Sequence, residues 1–145
     1  LRFVFESLEE LAGSRDRILQ VLRIMAPSKA LRIFVTLNEA LNNAALHGEP
    51  PIVLEIDKHT RETTGEERLI IKVSCRGRGF VPRLRLSDPE VPRGRGLWLM
   101  GAMADRLAFE DRGRMVIMEH RLDRPGRKRS LDTYWGDEDG IQHNR

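Results

Sequence analysis

Phe34-Val-Thr-Leu-Asn-Glu-Ala-Leu-Asn-Asn-Ala-Ala-Leu-His-Gly48 is the stretch on which the reading of this chain turns. Glu39, Asn43 and His47 stand four residues apart in it, a spacing that keeps side chains on nearly one face of a helix. A carboxylate, a carboxamide and an imidazole therefore share a stripe. The remaining positions (Phe34, Val35, Leu37, Leu41, Ala44, Ala45) are apolar or small, so the stripe is expected to border a cleft. A carboxylate can orient or deprotonate a nucleophile, and an amide oxygen is a hard ligand suited to Mg²⁺. Taken alone, the segment reads slightly better as an amphipathic helix with a few satisfied polar groups.

Two glycine clusters downstream change that balance. Val73-Ser-Cys-Arg-Gly-Arg-Gly-Phe80 closes a β-rich run, and Arg93-Gly-Arg-Gly-Leu-Trp-Leu-Met-Gly-Ala-Met-Ala-Asp105 runs from glycines straight into an apolar helical pattern. Glycine lets backbone N–H groups approach a phosphate, and a helix N-terminus adds a favourable field for an anion. Arg95 lies between Gly94 and Gly96, where a guanidinium can fork onto phosphate oxygens. Each Gly-x-Gly alone also marks ordinary turns. The order carries the information: polar-striped helix, strand, Gly-x-Gly, variable loop, Gly-x-Gly and helix.

That order resembles the GHKL ATPase superfamily, which includes the histidine kinases, and within it the anti-sigma-factor serine kinase family. Glu39-x-x-x-Asn43-Ala44-x-x-His47-Gly48 is similar to that family's N box, Gly77-x-Gly79-Phe80 to its first glycine box, and Gly94-Arg95-Gly96-Leu97-x-Leu99-Met100 to its second. The resemblance covers residues 1 to about 122, and the His47-Gly48 ending points to the serine-kinase branch. It implies ATP and Mg²⁺ as cofactors, Asn43 as the metal ligand and Glu39 as general base toward a protein hydroxyl. It further implies that Gly77, Gly79, Gly94, Gly96 and Leu97 frame the nucleotide, with Arg95 on the terminal phosphate. His47 is read as a brace of the helix, and Trp98 and Met100 as core or partner surface.

One position departs from the family pattern. The first glycine box there reads Asp-x-Gly-x-Gly, the Asp accepting a hydrogen bond from the adenine amino group, and here that position is Cys75. A thiol is a poor acceptor. Losing a hydrogen bond to a charged group removes on the order of 1.5–3 kcal/mol, or roughly one to two decades of affinity. Weakened, rescued and lost ATP binding all remain open. As a structural residue, Cys75 suits the inward face of a strand with Leu69, Ile71 and Val73; a reactive thiol between Arg76 and Arg78 is the rival.

The 145 residues suit one domain, and 40% hydrophobic with 32% charged residues describe a globular chain. No apolar run approaches the ~18 residues that span a bilayer and no signal-peptide pattern opens the chain, so no membrane partner is expected. A single cysteine excludes an internal disulfide framework and fits a reducing cytoplasm. The opening Leu1 is not a methionine, which leaves room for further domains in a longer protein. Net charge is +3 and the isoelectric point about 9.5. The basic residues gather around the glycine clusters and at 121–129. Without a recognition helix or an interleaved aromatic platform, direct nucleic-acid binding is not expected.

Along the chain, residues 1–5 read as a strand and Ser7 to Met25 as a helical pattern that Gly13 interrupts. Ser28 is the expected N-cap of the helix that ends at His47. Ile52–Asp57 and Arg68–Cys75 read as strands of a long hairpin, 81–92, with three prolines, as an exposed loop that the resemblance makes a lid over the nucleotide, and Gly96 to about Leu107 as a third helix. Ala108–Glu110 and Arg114–Arg121 form a closing hairpin around Asp111-Arg-Gly113. The sum is an α+β, two-layer sandwich: a mixed, mostly antiparallel sheet with three helices on one face. Residues 1–122 form the domain, and 123–145 a charged tail expected to be flexible.

By resemblance the chain is a serine/threonine kinase that phosphorylates a small anti-anti-sigma (STAS) partner and sequesters a sigma factor or similar regulator. Members of that family commonly dimerise, which makes a homodimer one of the states the resemblance allows. The alternatives are a catalytically decayed binding module of the same fold, which Cys75 favours, and a histidine-kinase catalytic domain.

Overall fold

The computed structural model describes residues 1–79 and 95–122, with the backbone alone at 95–97. Five strands and four helices follow in the order β1 (Arg2–Phe5), α1 (Leu8–Gly13), α2 (Arg15–Met25), α3 (Ala30–His47), β2 (Glu49–Thr60), β3 (Glu67–Arg76), α4 (Arg95–Met103), β4 (Arg106–Glu110) and β5 (Met115–Arg121). The strands form one sheet in the order β1-β2-β3-β5-β4, and every pairing is antiparallel. The α+β sandwich is as expected; among the described residues the sheet has no parallel pair.

Alternation along the strands decides which face is covered. Leu54, Val73, Val116 and Phe109 stand in one cross-strand row, and Ile56, Ile71, Met118 and Leu107 in the next. Against these rows lie Leu11, Ile18 and Leu22 from α1 and α2, Ile33, Leu37 and Leu41 from α3, and Met100 from α4, all within one core. Each such side chain contributes about 1.5–3 kcal/mol through the apolar area it removes from water. Helix α3 is the centre of the helical layer, packing on α2, α4, β2 and β3. Among the described residues no helix is long and apolar enough to cross a membrane.

Several element boundaries differ from those read off the sequence, each for a local reason. The first helical run is two helices: Ser14 donates its hydroxyl to Glu10 O at 2.7 Å, and its amide turns back to Leu11 O. Lys29, not Ser28, is the N-cap of α3, and it caps without a side-chain hydrogen bond. Helix α4 begins at Arg95 and stops at Met103, short of Leu107. Asp105 captures the chain, donating its amide to Glu119 O at 2.9 Å and accepting Arg121 N at Oδ2, 2.6 Å away. Leu107 is therefore a strand residue opposite Met118, although its spacing from Met100 and Ala104 suits a helix. The expected lid, 81–92, and the expected tail, 123–145, lie outside the described residues.

One polar cluster is sealed between α3 and the sheet. Thr36 and His120 are the buried polar residues among those described. Thr36 Oγ1 lies 2.8 Å from Ile33 O and 3.1 Å from His120 Nε2. With the hydroxyl donating to Ile33 O, Thr36 Oγ1 is left to accept from His120 Nε2. Burial pulls the His120 pKa down from 6.5 to about 4, with Asp105 opposing and Arg32 and Lys29 adding to the fall.

Because the folded pKa lies below the unfolded value, the unfolded chain takes up the proton first as the pH drops. Stability is then complete above about pH 6.5 and declines as the pH falls toward about 4, by roughly 3 kcal/mol from this group. Urea unfolding across that range tests the assignment. His120→Gln is expected to flatten the decline, and an unchanged slope would assign it to other groups.

Candidate functional site

Burial fixes the orientation of α3, and the orientation fixes the stripe. With Ile33, Leu37, Ala40, Leu41 and Ala44 turned into the core, Glu39 and Asn43 fall half-buried on one flank and His47 is exposed at the end. Arg32, seven residues before Glu39 on that flank, donates from Nε and Nη2 to Met103 O of α4, both at 3.3 Å. The stripe thus faces the α4 side. The opposite flank is tied to α2 by Arg15 Nη2 on Asn42 Oδ1 at 2.9 Å.

Asn43 lies on this flank with part of its carboxamide unaccounted for. Its Nδ2 is buried and has no hydrogen-bond partner among the described residues. A buried amide left so is uncommon, since most such groups are paired. Asn38 Oδ1, on the α2 side of the helix, shares this state. No cluster of three or more His, Cys, Asp or Glu able to hold a metal occurs among the described residues. A divalent cation here would draw one or two ligands from the protein and the rest from phosphate oxygens and water, the usual arrangement for Mg²⁺. The carboxamide oxygen of Asn43, a hard donor, suits that arrangement.

The end of α3 meets the end of β3. Gly48 closes the helix with its amide on Ala44 O at 2.9 Å. A Cβ there would collide with Cys75 Sγ and come within 2.8 Å of both Ala44 O and Cys75 Cβ. Gly48 is therefore required by close approach, since its φ of −110° suits any residue. Cys75 packs half-buried against the core, donates its amide to Arg114 O at 2.9 Å and points its thiol at the same oxygen, 3.7 Å away. Burial pushes the thiol pKa up, against the lowering by the Arg114 cation and a Glu49 backbone hydrogen bond, with Asp111 adding to the rise. Half-burial against the core and a raised pKa accord with the packing reading.

Gly77 and Gly79 follow with φ of +103° and +79°, in the left-handed region that favours glycine. A close contact adds to the constraint at Gly79, where a Cβ would collide with Arg112 O, whereas a Cβ on Gly77 would make an ordinary contact with Glu49 at 3.4 Å. The first glycine box is thus seated between the end of α3 and the β4–β5 turn.

Glu39, Asn43, Cys75, Gly77 and Gly79 are all described, and Gly48 packs the end of the helix against Cys75 of β3, beyond which Gly77 and Gly79 follow. Gly94 lies outside the described residues. Arg95, Gly96 and Leu97 form the start of α4 in backbone only. Met100 is fully buried, whereas Trp98 is 47% exposed, which divides the pair into core and surface. Sequence reasoning missed Arg114, whose signal was slight: an arginine three residues after Asp111 in a hairpin turn.

The family model for the histidine kinase-like ATPase domain matches residues 6–120, most of the chain. No curated protein matches it.

The Gly48–Cys75 approach yields a direct test. Gly48→Ala is expected to cost about 1–3 kcal/mol through overpacking. Because part of the clash is with sulfur, Cys75→Ala should recover some of it, giving non-additivity above about 0.5 kcal/mol in a double-mutant cycle. Additive losses would show that the two residues do not meet.

Proposed function

The chain belongs to the histidine kinase-like ATPase domain family, and from that premise we propose that it is an ATP- and Mg²⁺-dependent protein serine/threonine kinase. Its proposed substrate is a hydroxyl on a small anti-anti-sigma partner of the STAS type. In the alternative state it holds a sigma factor or similar regulator. The observation that carries the reading is the flank of α3, where Glu39 and Asn43 lie half-buried one turn apart. The His47-Gly48 ending of that helix supports the serine-kinase branch.

When bound, ATP·Mg²⁺ supplies the phosphoryl group and the charge neutralisation that phosphoryl transfer needs. The chain's own residues then have separate tasks. Asn43 offers its carboxamide oxygen to the cation. Glu39 takes the proton from the incoming serine or threonine hydroxyl. Gly77 and Gly79 keep the exit of β3 free of side chains beside the end of α3, and Arg95 is assigned to the terminal phosphate. Transfer of radiolabelled phosphate from ATP to a STAS protein tests the reaction; absence of transfer from a folded, ATP-binding protein would reject it.

Base and metal ligand act at different steps, so their defects should separate. Glu39→Ala is expected to abolish transfer while leaving most nucleotide binding. Asn43→Ala is expected to remove the Mg²⁺-dependent part of binding. Unchanged transfer in Glu39→Ala would overturn its role.

A second reading has its own observation. Cys75 stands where the resemblance implies an adenine-binding Asp, and its thiol is turned to Arg114 O. The same fold would then hold a regulatory partner without catalysis. Calorimetry on Cys75→Asp separates the two. For a nucleotide whose base lies at this position, affinity should rise by roughly one to two decades. A null effect together with no ATP binding by the wild type would favour the binding module.

A further inference from the structure

The β4–β5 turn holds an unusual backbone. Asp111, Arg112 and Gly113 have φ of 50°, 58° and 81°, placing three successive residues in the left-handed region. Side chains with a Cβ keep that conformation only where their surroundings over-determine it. Here one side chain supplies most of the constraint. Arg114 donates from Nη2 to Asp111 Oδ1 at 2.6 Å, from Nε to Asp111 O at 3.1 Å and from Nη1 to Gly77 O at 3.1 Å.

The third of these bonds is the informative one. A staple for the hairpin needs only the two bonds to Asp111. The bond to Gly77 leaves the hairpin and reaches the glycine segment at the exit of β3. Two further contacts act on the same few residues: Arg114 O accepts the Cys75 amide, and Arg112 O lies where a Gly79 Cβ would sit. On its other side Gly77 lies against Gly48 and Glu49, where α3 ends. The turn therefore clamps Cys75, Gly77 and Gly79 against the end of the helix that carries Glu39 and Asn43.

We propose that Arg114 is a positioning residue for nucleotide binding: through Gly77 it holds the glycine segment in its receiving conformation beside the end of α3. The proposal rests on the nucleotide-binding reading above and assigns Arg114 no contact with the nucleotide. Lysine cannot substitute, because an ammonium is a point charge without the fork that serves three acceptors at once.

The test compares Arg114→Met and Arg114→Lys with Arg68→Met. Arg68 is a partly buried arginine that pairs with Glu66 and Glu119 on the sheet, away from the glycine segment. Two quantities are measured at a temperature where all variants are folded: ¹⁵N order parameters of the Gly77 and Gly79 amides in the free protein, and affinity for a non-hydrolysable ATP analogue with Mg²⁺. Both Arg114 variants are expected to lower the order parameters and to weaken the analogue roughly tenfold. Arg68→Met should leave both readouts unchanged. If Arg114→Met does not fold, Arg114→Lys, which keeps the charge, carries the comparison. Unchanged order parameters, or lowered ones with unchanged affinity, would overturn the role of Arg114. A wild type that binds no analogue would instead overturn the nucleotide reading, and the proposal with it.

Discussion

The seating of α3 on the sheet is the constraint from which the site follows. Ile33, Leu37, Ala40, Leu41 and Ala44 are all but inaccessible to solvent, so the helix has no freedom to rotate without exposing several apolar side chains at about 1.5–3 kcal/mol each. That fixed rotation carries Glu39 and Asn43 onto the α4 flank. Arg32 on Met103 O and Arg15 on Asn42 hold the two neighbouring helices to either side. At its C-terminal end the helix can reach β3 only because position 48 has no side chain. The apolar face of α3 thus aims two polar side chains, and a missing methyl group sets the distance between helix and strand.

The fold was legible where sequence periodicity and burial agree. Alternation over 52–57 and 68–75 gave both central strands, and the apolar stripe of 34–48 gave α3 to its last residue. It was misleading where a single side chain redirects the chain. Leu107 keeps helical phase with Met100 and Ala104, yet Asp105 binds the β5 backbone and diverts it into β4. Ser28 has the chemistry of a cap, but α3 begins one residue later. The candidate site was legible as a set of motifs in order. Its internal contacts were not, because they depend on distances between residues far apart in sequence, such as Gly48 with Cys75 and Gly77 with Arg114.

Cys75 shows how one position can be read in two currents at once. Against the core it behaves as a small apolar residue, its thiol pKa raised by burial. Against the family pattern it is the loss of a carboxylate beside the glycine box. Both follow from the same location at the last half-buried turn of β3. Arg114 nearby brings a cation and a backbone acceptor into this corner, so its chemistry differs from that of a site built on an acidic residue.

The central claim, that the α3 flank and the glycine segment receive a magnesium nucleotide, is tested most directly by titrating the wild-type protein with ATP in the presence and absence of Mg²⁺. The account predicts measurable binding that strengthens with the cation, because Asn43 is one of its few protein ligands. Binding that is absent in both conditions, or indifferent to Mg²⁺, would contradict it.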